Sequence, residues 1–244
     1  MQGMKNAVIS AIAVAALAGT ASAGISDTIF MISMDLGGGN VATYEATLGD
    51  GTWLGNGEFE WSIENVSVMD GANEAFFIES ASLIVNEDPV VQANFSLQAG
   101  PSSGVFTVSS ALVSFSTFGG VTGSASAAVT ITDFNGDGAT LAPNGPSMYT
   151  SYYNGIPGVG TTFAGLLSGD VVAPQFGSNN AFEDHNGGGF WPIAGSISNI
   201  SSQWTFGLTA FDIAGGTSTF EVVPAPASLA LLGLGGFSAL RRRR

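Results

Sequence analysis

Residues 58–69 read Glu-Phe-Glu-Trp-Ser-Ile-Glu-Asn-Val-Ser-Val-Met. Apolar Phe59, Trp61 and Ile63 alternate with Glu58, Glu60 and Glu64, and Val66 and Val68 resume the alternation after a phase shift at Asn65. A period of two is the signature of a β-strand, because successive side chains point to opposite faces of a sheet. One face here is apolar and the other carboxylate, which predicts a half-buried strand with a solvated acidic side and a kink near Asn65.

The same period extends outward in both directions. Toward the N-terminus, Thr28 to Met34 and Val41 to Leu48 read as strands separated by Gly37-Gly38-Gly39-Asn40, and Gly49-Asp50-Gly51 ends the second. Toward the C-terminus, Asp70-Gly71-Ala72-Asn73 is a turn. Strands follow over Ala75 to Val85 and Val90 to Gln98, divided by Asn86-Glu87-Asp88-Pro89. Gly104 to Phe118 and Val121 to Phe134 suggest a hairpin across Gly119-Gly120, a favoured two-residue turn. Gly136 to Ser147 reads as loop, Met148 to Tyr153 as a short strand, and Thr161 to Leu167 as a strand or one helical turn. Pro174 to Gly189 reads as an Asn- and Gly-rich loop, and Gly195 to Ile213 and Thr217 to Val223 as the closing strands. Between the two ends no segment keeps a helical period, and no internal repeat emerges. About ten strands at this spacing predict an all-β protein: a single β-sandwich of jelly-roll-like winding, with strand order left open.

Charge is distributed very unevenly. All 19 acidic residues lie between Gly24 and Val223, while the five basic ones are Lys5 and Arg241 to Arg244. The 24–223 body therefore holds carboxylates and His185 but no Lys or Arg, a surface that repels phosphate backbones and excludes nucleic-acid binding. Its carboxylates must be solvated, hydrogen-bonded or bound to cations. Cysteine is absent, so the fold relies on its core and not on disulfides.

The two ends read as addresses. Residues 1–23 carry Lys5, an apolar stretch from Ala7 to Ala18, and Ala21-Ser22-Ala23. Small residues at Ala21 and Ala23 form a small-x-small cleavage site, so the segment reads as a helical secretory signal peptide cut by signal peptidase after Ala23. Residues 224–244 have three parts: a hinge of Pro224, Ala225 and Pro226, an apolar and charge-free run from Ala227 to Leu240, and Arg241, Arg242, Arg243 and Arg244. Prolines stop the preceding strand. The Leu-, Ala- and Gly-rich run suits a helix in lipid, though it is shorter than the ~20 residues of a stable span. The arginines stay on the cytoplasmic side.

This Val-Pro-x-Pro, apolar segment and Arg cluster resembles the PEP-CTERM sorting tail of exported bacterial proteins. The resemblance covers the tail alone and departs from the motif at Ala225, where a Glu is expected. It implies a membrane-embedded, exosortase-like processing enzyme as partner, cleavage near the hinge, and release of the body to the cell surface or the exopolysaccharide matrix. The expected protein is thus an exported, non-catalytic surface or matrix protein that is transiently membrane-anchored. A carbohydrate-binding module of the same fold is the first alternative, using Trp53, Trp191, Tyr149, Tyr152 and Tyr153 as exposed platforms. A carboxylate-dependent glycosidase is the second; it requires two acids about 5 to 10 Å apart in a groove.

Three constellations invite chemistry. Asp133, Asn135 and Asp137, followed by Gly138, alternate oxygen ligands with a glycine at the sixth position, as a calcium-type loop requires. The twelfth position, where an EF-hand places a bidentate Glu, is Asn144, and the flanks read as strands. An Asx-rich surface turn is the alternative. No cofactor is required by this reading, and Ca2+ is the one candidate. Glu183-Asp184-His185 contains the only histidine but reads as a solvated loop, since neighbours along a strand diverge. Gly100-Pro101-Ser102-Ser103-Gly104 matches a nucleophile elbow in letters only. The elbow needs a helix after the Ser, and here strands flank both sides in what reads as a hairpin turn.

Overall fold

The computed structural model describes residues 24–55, 57–86 and 88–224; the expected signal helix and anchor helix lie outside the described residues. Sixteen strands make up the described body. They begin with β1 (Gly24–Ile25), β2 (Thr28–Gly37), β3 (Asn40–Thr47), β4 (Thr52–Trp53), β5 (Glu58–Asp70) and β6 (Asn73–Asn86). β7 (Val90–Ala99), β8 (Gly104–Ser110), β9 (Val113–Thr132), β10 (Ala139–Pro143) and β11 (Tyr149–Tyr153) follow. The last are β12 (Thr161–Leu166), β13 (Val171–Ala173), β14 (Ser178–Asp184), β15 (Trp191–Leu208) and β16 (Ile213–Pro224).

All of these strands belong to one antiparallel sheet that curls into two facing layers. One layer runs β3-β2-β8-β15 and continues through β11 to β12 beside one stretch of β15, and through β10 to β13 beside another. The second runs β4-β5-β6-β7-β16-β9-β14. The two longest strands, β9 and β15, pair through their N-terminal halves and so join the layers.

Strand alternation supplies the core between them. Along β7 every second residue, from Val91 through Ala93, Phe95 and Leu97 to Ala99, is buried. Aromatic side chains bridge the layers: Phe30 of β2 meets Trp61 of β5 at 5.0 Å, and Phe76 of β6 meets Phe106 of β8 at 5.3 Å. Phe95 sits edge-on to Trp204 at 5.5 Å and stacks on Phe206 at 5.7 Å. Large rings are accommodated by small residues opposite, as interior close packing requires. A Cβ on Gly216 of β16 would lie 2.3 Å from the Phe95 ring.

The opening motif behaves as its pattern predicts. β5 buries Phe59 and Trp61 against the core and exposes Glu60 and Glu64. Asn65 marks the kink with φ 58°.

Several expectations need correction. The hairpin across Gly119-Gly120 does not exist: β9 runs straight through both glycines, and the chain instead breaks at 111–112. β8 pairs with β2 and β15, not with β9. The glycines accommodate a bulge, with Gly120 at φ 67° facing an irregular register near Gly195. Residues 100–103 are likewise no hairpin turn, because β7 and β8 lie in different layers and this segment crosses between them. The loops expected over 136–147 and 174–189 each contain a strand, β10 and β14. β14 pairs along its whole length with β9.

Candidate functional site

β9 and β10 are joined by Asp133 to Gly138, the calcium-type loop of the sequence. Asp133 is buried, and its carboxylate serves as the knot of the turn. Its Oδ1 accepts the Gly136 N–H at 2.9 Å, and its Oδ2 accepts those of Gly138 at 3.1 Å and Phe176 at 2.7 Å. Gly138 takes φ 91°, a left-handed conformation that glycine adopts without steric penalty.

The sequence triad is only partly brought together. The carboxylate oxygens of Asp133 and Asp137 converge, but the third member of the cluster is Asp212, with the three ligand atoms all within 4.8 Å of one another. Asn135 turns its side chain to the backbone instead: its Oδ1 accepts the Asp137 N–H, and its Nδ2 donates to the Ala210 carbonyl. Asp212 is fully buried; one carboxylate oxygen accepts the Phe134 N–H at 3.3 Å and the other the Thr209 hydroxyl. Nothing local in the sequence links Asp212 to Asp133, since they meet only because β16 pairs with β9 from Ile213 opposite Thr132.

The two buried acids have opposite electrostatics. Burial acts to raise the pKa of Asp133, but the N–H groups of Phe176, Gly136 and Gly138, with the contact to Asp212, outweigh it and hold the carboxyl below its ordinary value. Burial pushes Asp212 above its ordinary value, and the charges of Asp133 and Asp137 add to this; the Thr209 hydroxyl and Phe134 N–H only partly offset them. The group therefore has the oxygen donors a hard cation takes, and a cation there would relieve the repulsion among its carboxylates.

Exposed Phe134, Phe176 and Phe211 rim this corner. Phe176 and Phe211 adopt φ of 52° and 64°, each unfavourable by about 1 kcal/mol or more for a residue with a Cβ. Hydrogen bonds hold them there, from Phe176 N–H to Asp133 and from Phe211 N–H to the Gly100 carbonyl.

The other constellations separate. Glu183 and Asp184 belong to β14, and Glu183 accepts the Leu167 N–H, while the His185 ring packs on Phe163 at 4.7 Å. Among the described residues, those three do not form a cluster of potential metal ligands. Nor do the five aromatic candidates make a platform: Tyr149 is wholly buried, Tyr153 packs against the core, and Trp53 lies at the sheet edge edge-on to Phe59. Trp191 is exposed at the start of β15, and Tyr152 lies half-buried on β11. Ser102 and Ser103 sit in the crossover between layers, with a strand on either side.

A cavity of about 430 Å³ opens on the outer face of the first layer, over β11, β12 and β15, with Tyr152, Thr150, Thr162, Gln203 and Thr205 in its lining and no carboxylate. Its chemistry was not legible in the sequence, because its residues come from three strands and the segment before β11.

No family model matches the chain, and no curated protein does. A solved structure of the infectious bursal disease virus Gx strain aligns with 82% of this chain and 66% of that chain, at 11% identity and a TM-score of 0.23. A score so low carries no argument about fold or function.

Proposed function

We propose that the chain is an exported bacterial surface or exopolysaccharide-matrix protein without catalytic activity, delivered by its C-terminal tail and released by an exosortase-like enzyme. The observation that carries this reading is that the last described strand reaches the hinge. β16 pairs with β9 up to Pro224 opposite Val121, and Pro224 is the first residue of the hinge. A protease acting after Pro224 would cut beyond the last described residue that pairs with β9. β1 pairs with the N-terminal end of β9, with Gly24 beside Ser114, so Gly24 and Pro224 both lie against the N-terminal half of β9. The acidic corner at Asp133 lies at the far end of β9, roughly 40 Å away at ~3.3 Å per residue. A body held by its tail would therefore present that corner away from the membrane.

Jelly-roll-like winding belongs to the same reading: consecutive β7 and β8 pair with β16 and β15 in nested order. The non-catalytic part is supported by the placement of acids. Asp133 and Asp212 are buried, and the neutral cavity has no carboxylate in its lining, so neither place offers the solvent-facing acid pair of a glycosidase. The Asp133, Asp137 and Asp212 group is proposed as a calcium-type structural site that would neutralise this corner outside the cell.

Replacement of Arg241 to Arg244 by Ser tests the sorting reading in the native host. The expected result is loss of the protein from the surface fraction, with unsorted precursor retained. Unchanged surface delivery would overturn the role of the tail.

A further inference from the structure

The cavity on the first layer is uncharged in an otherwise acidic body. Between Gly24 and Val223 the protein has carboxylates but no Lys or Arg. Every charged side chain it presents, apart from any charge on His185, is therefore negative. The cavity lining is entirely uncharged: Asn144, Ser147, Thr150, Thr162, Gln203 and Thr205 supply amides and hydroxyls, and Tyr152 supplies a ring.

Three strands aim these groups outward. Thr150 lies opposite both Gln203 and Gly165 in the ladder, and Tyr152 lies opposite Thr162, so the side chains stand in adjoining rows about 4.8 Å apart. The ladder places Gly165 in the cavity lining beside Thr150, with the Ser147 side chain packed over it. A Cβ there would come 2.9 Å from the Ser147 Oγ, and the backbone of Gly165 is not left-handed, so the residue matters for room and not for its conformation. Some polar atoms are already used: Ser147 and Thr150 share a hydrogen bond at 3.2 Å, and the Gln203 amide donates to Ser109 at 3.1 Å. The Gln203 carbonyl oxygen, the hydroxyls of Tyr152, Thr162 and Thr205, and the Asn144 amide make no side-chain hydrogen bond within the described residues.

From this arrangement we infer that the cavity is a binding subsite for a neutral saccharide. Elimination narrows the ligand: no base is present to hold an anion, and no carboxylate lines the cavity to hold a cation. Free donors and acceptors beside one amphipathic ring match a ligand with hydroxyls around its rim and C–H groups on its face. The volume lies near the lower end of the ~300–1,000 Å³ typical of small-molecule sites, enough for a short stretch of a glycan chain. The subsite uses one ring, Tyr152, and not an aromatic row.

This inference goes beyond the export reading and does not depend on the tail, so each can fail alone. The test titrates the purified full chain in detergent with neutral hexasaccharides of glucose, mannose and xylose, and with an oligogalacturonate as the anionic control, at low and high NaCl. The expected result is saturable binding of at least one neutral oligosaccharide, changed less than twofold by salt. Tyr152→Ala and Gln203→Ala should each weaken it at least tenfold, and Gly165→Val should abolish it, with thermal melts confirming that each variant is folded. Tyr152 and Gln203 are only partly buried, so those two variants keep the test decisive if Gly165→Val fails to fold. Absence of binding to every neutral probe, binding unaffected in Tyr152→Ala and Gln203→Ala, or binding restricted to the oligogalacturonate would each overturn it.

Discussion

Phe95 and Gly216 form a matched cross-strand pair whose substitution tests the pairing of β7 with β16. The ring is 4% exposed, lies between Trp204 and Phe206, and occupies the space a Cβ on Gly216 would need. Phe95→Ala removes a buried ring and leaves a cavity, which is unfavourable by about 3–5 kcal/mol. Gly216→Ala forces a methyl group to within 2.3 Å of the ring edge, an overpacking of about 1–3 kcal/mol. A body of this size loses roughly 2–4 °C of Tm per kcal/mol, so Phe95→Ala should lower Tm by about 6–20 °C and Gly216→Ala by about 2–12 °C. With the ring gone, the new methyl group has room. The double variant should therefore be no less stable than Phe95→Ala alone, with a favourable coupling of about 0.5–3 kcal/mol. Thermal and urea melts of the four chains close the cycle. If Gly216→Ala is as harmful without the ring as with it, Phe95 does not pack over Gly216 and the register of β7 on β16 is wrong.

Other consequences follow from the charge distribution. Asp212 has a raised pKa, so the folded state holds its proton more tightly than the unfolded chain; its contribution is favourable in acid and is lost as pH rises through the folded pKa. Asp212→Asn in EDTA should therefore raise Tm at pH 7, with the advantage gone below about pH 3.9, and a lower Tm at pH 7 would refute the assignment. Asp133 acts oppositely, being favourable above its unfolded pKa and losing that contribution as pH falls through its lowered folded value. In calcium the ranking of wild type and Asp212→Asn should narrow or reverse, because only the wild type keeps the full carboxylate set; equal shifts in both would exclude the site. The full chain should also melt higher in 1 M than in 0.05 M NaCl, since 19 carboxylates repel with no interspersed base and salt shortens the reach of that repulsion. A salt-independent Tm would mean the acids are too far apart or too well paired to matter.

How much of this was readable from the chain varies with the range of the interaction. The meander β5, β6 and β7 was legible because each strand alternates cleanly and each connection has its own Gly, Asn or Pro signal. Gly119-Gly120 misled because two glycines carry the same local signal in a tight turn and in a bulge, and only the distant partner β15 decides between them. β14 escaped notice because Ser178-Asn179-Asn180-Ala181-Phe182-Glu183-Asp184 has little apolar alternation; it is an edge strand, and its pairing with β9 holds it. At the acidic corner, Asp133, Asp137 and the left-handed Gly138 were visible in local spacing, whereas Asp212 arrives through long-range register.

Delivery and release of the body, as proposed, require that both ends of the chain be removed. Mass spectrometry of the protein recovered from the surface or matrix of the native host tests it most directly. The expected chain begins near Gly24 and ends near Pro224. Recovery of released material that still carries Arg241 to Arg244 would contradict it.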